Sequence, residues 1–374
     1  MRADKIGLYV HVPFCFKKCN YCDFSSYAGL NPEVREAYIN KLVSEISSYK
    51  RAEKIKVDTV FFGGGTPSLL SPLEFQKIAE EIYNSFDVSE KAEFTLEANP
   101  KTVTREKLSA YKSFGVNRVS LGLQSIHENE LKILGRIHNF EDFKSAYEDV
   151  AAVGIENISV DVMYGIPEQT KESFAKTLDE VTALSPNHLS AYGLILEEDT
   201  PLYENRASYK FPSEDEECDM YYLACDKLGK IGYSHYEISN YALRGFESKH
   251  NLKYWTDSEY VGVGVAAYSY YNGVRFGNSR NIKEYLSADM KEYITESKIT
   301  PEDEAYEYAM LALRLSRGFS LPEYKERFGV DFTDGRSQKL KLYIKGGYLN
   351  LSDERISLTE KGFYVSNTIL TDLL

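Results

Sequence analysis

Three of the five cysteines fall within eight residues, in the run Cys15-Phe-Lys-Lys-Cys19-Asn-Tyr-Cys22. A C-x3-C-x2-C run gathers thiolates on one short loop, the ligand type for zinc or an iron–sulfur cluster. Zinc takes four ligands, usually as two separated pairs, and no second pair follows. A [4Fe–4S] cluster held by three cysteines would leave its fourth iron open to another ligand. The spacing points to an iron–sulfur centre, with zinc, or structural cysteines including a disulfide, as alternatives. No charged-then-apolar leader is visible, so the expected location is the cytoplasm, where persistent disulfides are rare. Cys218 and Cys225 share a face of one predicted helix and read as core.

Other groups could carry chemistry. Gly63-Gly-Gly-Thr-Pro67 has neither the lysine nor the spacing of a P-loop. Its glycines would let the backbone pass close to a ligand, a strand-to-helix turn being the plainer reading. Glu97 and Asp161 lie on apolar strands, where a buried carboxylate needs a partner, either an ion pair or a ligand. His250-Asn251-Leu-Lys-Tyr254-Trp255 contains the only tryptophan and one of six histidines. An imidazole beside aromatics is commonly a packed residue, but it also suits axial ligation and stacking of haem.

The elements that must position these groups repeat. Strands are predicted at 6–12, 57–62, 93–97, 118–123, 158–163 and 188–196, with helices at 32–49, 72–86, 105–114, 140–153 and 171–184. Strand–helix units at ~30-residue intervals predict a parallel sheet with helical crossovers. The cysteine loop, GGGTP, Glu97-Ala-Asn99-Pro100, Gln124-Ser125 and Asp161 fall at the ends of five successive strands. That placement favours an incomplete (β/α)6 TIM-like barrel over a doubly wound sheet. The expected organisation is a partial barrel over 1–200 and an extension over 201–295 that packs on it. A small winged-helix-like α+β domain over 296–374 completes it.

Composition narrows the partners. At 374 residues, with 43% hydrophobic and 27% charged residues, the chain can bury a full core. A net charge of −13 argues against a broad nucleic-acid surface, and residues 301–374 carry 10 basic against 12 acidic residues. No apolar run approaches the ~20 residues of a membrane span.

The cysteine run, with an aromatic residue before its last cysteine, resembles the signature of the radical SAM superfamily. The longer string YVHVPFC…CNYCDF is similar to one branch, the oxygen-independent coproporphyrinogen III oxidase-like proteins. The resemblance implies a [4Fe–4S] cluster on Cys15, Cys19 and Cys22, with S-adenosylmethionine on the open iron. It also implies cofactor contacts from Tyr9, Tyr21, Gly64, Gly65, Thr66, Glu97, Gln124, Arg136 and Asp161. The glycine turn would face the amino group, Asp161 the ribose and Arg136 the carboxylate. Tyr268, in the glycine-rich stretch from Tyr260, is a further candidate for the adenine.

H-N-x-x-Y-W resembles a motif of the haem-chaperone branch, the HemW family, and implies haem contacts from His250, Asn251, Tyr254 and Trp255. In the oxidase subfamily an N-terminal extension precedes the first strand, and a further cysteine stands where this chain has Phe24. The expected function is therefore binding haem as cargo and passing it to haem-dependent proteins, with membrane-bound respiratory proteins as candidate acceptors. The alternative is an enzyme of porphyrin biosynthesis, oxidatively decarboxylating coproporphyrinogen III. A monomer and a homodimer are both compatible with the sequence.

Overall fold

A computed structural model describes residues 5–288 and 294–374. Six parallel strands form its centre: β1 (Ile6–Val12), β2 (Ile55–Gly64), β3 (Phe86–Ala98), β4 (Arg118–Gln124), β5 (Asn157–Tyr164) and β6 (His188–Gly193). They pair in sequence order, each parallel to the next. Between them run α1 (Pro32–Ser48), α2 (Pro72–Ser85), α3 (Arg105–Ser113), α4 (Phe140–Ala152) and α5 (Lys171–Ala183). Each begins where a side chain can accept the free N–H groups of a first turn: Asn31, Ser71, Thr104, Asn139 and Thr170.

Alternation along the strands sorts their side chains onto two faces. In β4, Val119, Leu121 and Leu123 pack into the apolar core, while Arg118, Ser120, Gly122 and Gln124 line a cavity on the other face. Thr59, Glu93, Thr95, Ser159 and His188 are likewise buried polar residues of the central strands. A polar face can stay buried only if something polar covers or fills it.

The sheet continues past both ends of this core. β7 (Ser234–Glu237) and β8 (Asn240–Ala242) extend it antiparallel beside β6. On the other side β9 (Tyr260–Val263) pairs parallel with β1. Beyond it lie β10 (Tyr268–Tyr271), β11 (Val274–Gly277) and β12 (Ile294–Lys298), giving twelve strands with two free ends. The expected partial barrel is thus an open sheet whose parallel core has the predicted order. Two boundaries differ from expectation by more than two residues. β6 stops at Gly193 rather than Leu196 because its partner β5 ends at Tyr164, opposite Gly193. β3 begins at Phe86, where it pairs with Ile55 ahead of a register shift.

Two helices finish the covering. α6 (Glu214–Lys230) packs on α5. α7 (Lys249–Trp255) carries the H-N-x-x-Y-W residues and packs on β2. After α8 (Pro301–Ala312), α9 (Leu321–Phe328) and α10 (Ser337–Lys345), a hairpin of β14 (Leu349–Ser352) and β15 (Arg355–Leu358) joins β13 (Phe319–Ser320) in a three-stranded sheet. α11 (Ser366–Leu373) closes the chain. This C-terminal unit is tied back by Ser316 N–H, which donates to the Tyr236 carbonyl (3.0 Å), and by Arg327 paired with buried Asp257 at 2.6 Å.

Candidate functional site

The cysteine loop is seated at the carboxyl ends of the strands by backbone bonds. Gly65 N–H donates to the Val12 carbonyl at 2.8 Å, and Tyr27 N–H to that of Pro13 at 2.7 Å. His11 reaches the Ser25 carbonyl through Nε2 at 2.9 Å. Asn20 ties the loop to the segment leading to Arg136, its Nδ2 donating to the Ile133 carbonyl and its N–H to that of Leu134. Gly64 has φ +111°, and a Cβ there would lie 2.6 Å from the His11 ring. Only glycine permits this close turn of β2 beside β1.

Cys15, Cys19 and Cys22 are free thiols at the wall of a cavity of about 580 Å³, a size ordinary for a small-molecule site. The same cavity is lined by Tyr21, Gly64, Gly65, Thr66, Glu97, Gln124, Arg136, Asp161 and Asn251. The structure therefore gathers these expected residues from four strands, three loops and helix α7.

Their electrostatics are those of a closed site. Burial, with Asp161 nearby, raises the Glu97 carboxyl to about 8, and its Oε2 accepts from Gly64 N–H at 3.2 Å. Burial also raises Asp161, which accepts from the Ser120 hydroxyl at 3.0 Å. Gln124 holds a positive φ of 73° and accepts from the Tyr192 hydroxyl at 2.9 Å. Burial pushes the Cys15 and Cys22 thiols up, so a cationic centre would be needed to hold them as thiolates.

Asn99, placed at a strand end by the sequence but given no role there, links two of the cysteines. Its Nδ2 donates to Thr66 Oγ1 at 2.9 Å, and Thr66 Oγ1 is 3.8 Å from Cys15 Sγ. Its Oδ1 accepts from Arg136, whose Nη1 is 3.5 Å from Cys19 Sγ. Its place at the carboxyl end of β3 was the available signal.

Comparison with known proteins agrees with this geometry. Residues 9–181 match the radical SAM superfamily, and residues 299–365 match the HemN C-terminal domain. The heme chaperone HemW of Lactococcus lactis is 34% identical over 98% of this chain and 96% of its own length. That of Bacillus subtilis is 33% identical over 96% and 97%, respectively. The chain belongs to the HemW family of radical SAM proteins. The solved structure of Escherichia coli coproporphyrinogen III oxidase (HemN), a radical SAM enzyme, superposes with a TM-score of 0.85. It is 22% identical, over 98% of this chain and 89% of its own, and shares the fold.

Radical SAM membership implies a [4Fe–4S] cluster and S-adenosylmethionine, and the donor set fits both. Among the described residues no trio of His, Cys, Asp or Glu is close enough to hold a single metal ion. A cluster asks for less convergence, because each thiolate binds its own iron. Thr66 and the Gly64–Gly65 backbone, with Glu97 behind them, are an acceptor-rich wall for an ammonium group.

Five expected contacts are placed differently in this HemW-family chain. Tyr268 is 42% exposed on β10 and does not line the cavity, because its neighbour across the ladder is Gly277 at the outer part of the sheet. Tyr9 lies behind the wall, its hydroxyl bonded to His11 Nδ1 at 3.0 Å. His250 is 1% exposed, with Nδ1 on the Thr59 hydroxyl (2.9 Å) and Nε2 on that of Tyr254 (2.8 Å). Burial lowers it to about 3, which makes it a neutral, hydrogen-bonded core imidazole. A haem iron could reach it only by displacing one of those hydroxyls, so direct ligation by His250 is not what this geometry offers. Tyr254 is occupied by that bond, and Trp255 packs 5.9 Å from the Arg314 guanidinium. Of the H-N-x-x-Y-W residues, Asn251 alone lines the cavity, while Phe61, which also lines it, stacks on His250 at 5.1 Å.

Proposed function

We propose that this protein is a haem chaperone that carries a [4Fe–4S] cluster on Cys15, Cys19 and Cys22 and binds S-adenosylmethionine in the adjoining cavity. Haem is its cargo, passed to haem-dependent acceptor proteins from the cytoplasm or the membrane face. The carrying observation is the nearly full-length likeness to the heme chaperones of Lactococcus lactis and Bacillus subtilis. When bound, the cluster supplies one electron to the cofactor's sulfonium.

The chain's own residues have separate tasks in this reading. Thr66, Gly64 and Gly65 orient the amino group, Asp161 meets the ribose, and Tyr21 and Gln124 exclude water from the wall between them. Asn99 fixes Arg136 and Thr66 against the cysteine loop. Phe24 and Ile195 line the cavity while remaining 67% and 70% exposed. They give its mouth an apolar rim suited to a macrocycle face. The H-N-x-x-Y-W segment acts by shaping the floor through Asn251 and through Phe61 on His250. Residues 201–295 serve as the extension that completes the floor, and 296–374 as a packing or interaction unit.

The test is transfer. Protein with a reconstituted cluster, loaded with one equivalent of haem, is mixed anaerobically with an apo b-type cytochrome. Appearance of the cytochrome spectrum faster than from free haem is expected. Haem that never leaves, or never binds, would contradict the reading.

A further inference from the structure

The cysteine loop has an outer side as well as a cavity side. Phe16, Lys17 and Lys18, between Cys15 and Cys19, are all exposed, Phe16 to 75%. With Ile137, also exposed, Phe16 flanks a small cleft whose lining includes Cys19. The cleft adjoins a surface groove of about 540 Å³, and Lys17, Lys101, Arg136 and Ile137 line both. Cys19 is thus shared by the cavity and the cleft. Phe24 and Ile195 line only the cavity, and Phe16 and Ile137 only the outer openings.

The groove is positive. It carries Lys17, Lys101, Lys132 and Arg136 against the carboxylates of Glu128 and Asp142. Asp142 pairs with Lys101 at 3.2 Å, and burial lowers His138 to about 3, which leaves it neutral. Lys17 and Lys132 are exposed and in no ion pair among the described residues. Such a groove runs against a chain of net charge −13. An exposed aromatic side chain beside unpaired cations suits an acidic protein partner.

What the groove reaches decides which partner. Haem and S-adenosylmethionine belong to the cavity, whereas the group met from the groove is the Cys19 thiol, 3.5 Å from Arg136 Nη1. A cluster that gives an electron to the sulfonium must be resupplied, and this approach leaves both cavity ligands in place. We propose that the groove beside Phe16 and Ile137 docks an acidic one-electron carrier protein that reduces the cluster through its Cys19 edge. One electron passes from carrier to cluster, with no bond formed or broken and no proton moved. The contact belongs to the small, transient class of electron-transfer interfaces. It rests on the cluster reading and is independent of haem carriage.

The test mixes the cluster-reconstituted chain anaerobically with reduced flavodoxin, an acidic flavin carrier, or with dithionite, a small reductant. The flavin's own absorbance reports the electron leaving the carrier. Calorimetric titration with oxidised flavodoxin measures docking without turnover. In the double variant Lys17→Glu, Lys132→Glu the flavodoxin rate should fall at least about tenfold at low salt, and high salt should slow the wild type similarly. Phe16→Ser should weaken docking about tenfold. Dithionite should reduce all three proteins at one rate. Equal flavodoxin rates across them would overturn the proposal, as would rates that fall alike with both reductants, the mark of a disturbed cluster. If Phe16→Ser holds no cluster, Lys132→Glu decides alone, since it lies on the helix Glu128–Ile133 outside the cysteine loop. A double variant that slows haem delivery to an apo-cytochrome but not cluster reduction would give the face to the haem acceptor and overturn the proposal. A wild type that takes up no cluster would sink the cluster reading, while the calorimetry still tests the docking face. Failure to bind haem would sink the chaperone reading and leave these rates unchanged.

Discussion

Glu97 and His250 show how much a residue's surroundings decide its role. Glu97, raised to about 8, keeps a proton in the folded chain that the unfolded chain releases near 4.5. Between those values the folded state binds more protons, so stability falls as pH rises from about 4.5 towards about 8. Glu97→Gln mimics the protonated form and should flatten that part of the slope. Urea midpoints of both proteins at about pH 5 and about pH 8 test this, and a difference between them that does not grow with pH would contradict it. His250→Ala removes a buried ring with two hydrogen bonds and a stacked Phe61, and should cost about 2–4 kcal/mol of stability. Chemical denaturation of the unliganded protein measures that cost. An unchanged midpoint would return His250 to the role of a free ligand.

At the scale of elements, the sequence disclosed most of the frame. The strand–helix alternation and the side-chain caps at Asn31, Ser71, Thr104, Asn139 and Thr170 mark the central units within a few residues. Position at strand ends likewise marked Glu97, Gln124 and Asp161 as members of one site. What could not be read was the partner of each inward residue. Nothing in H-N-x-x-Y-W states that Thr59 waits across from His250, or that Glu93 accepts the N–H groups of Lys249 and His250 at 3.1 and 3.0 Å. Those pairings cross more than 150 residues and arise from the way α7 packs on the sheet. Arg118, which lines the cavity, escaped notice because a single arginine at the head of a strand looks like an exposed end. The turn at Gly64 carries its own prediction. Gly64→Ala combines an unfavourable φ with a clash against His11, costing about 1–3 kcal/mol. It should also weaken S-adenosylmethionine binding, as read by equilibrium dialysis. Tight binding in a normally stable variant would show that the turn is not part of the cofactor wall.

For the whole molecule, the open sheet supports a division of labour: a polar cofactor cavity inside and an apolar rim outside. Phe24→Ser combined with Ile195→Ser should weaken haem binding by about tenfold or more, since two large side chains leave the contact. The cluster's visible absorption should stay intact in that variant, and equal loss of both signals would show that the rim is structural.

A radical SAM fold that serves as a carrier should hold haem and leave coproporphyrinogen III unchanged. That is tested most directly by giving reductant, S-adenosylmethionine and coproporphyrinogen III to the cluster-reconstituted protein without oxygen, while a parallel sample is titrated with haem. Stoichiometric retention of haem and no chromatographic peak of protoporphyrinogen IX are expected. Catalytic formation of protoporphyrinogen IX would contradict the carrier role.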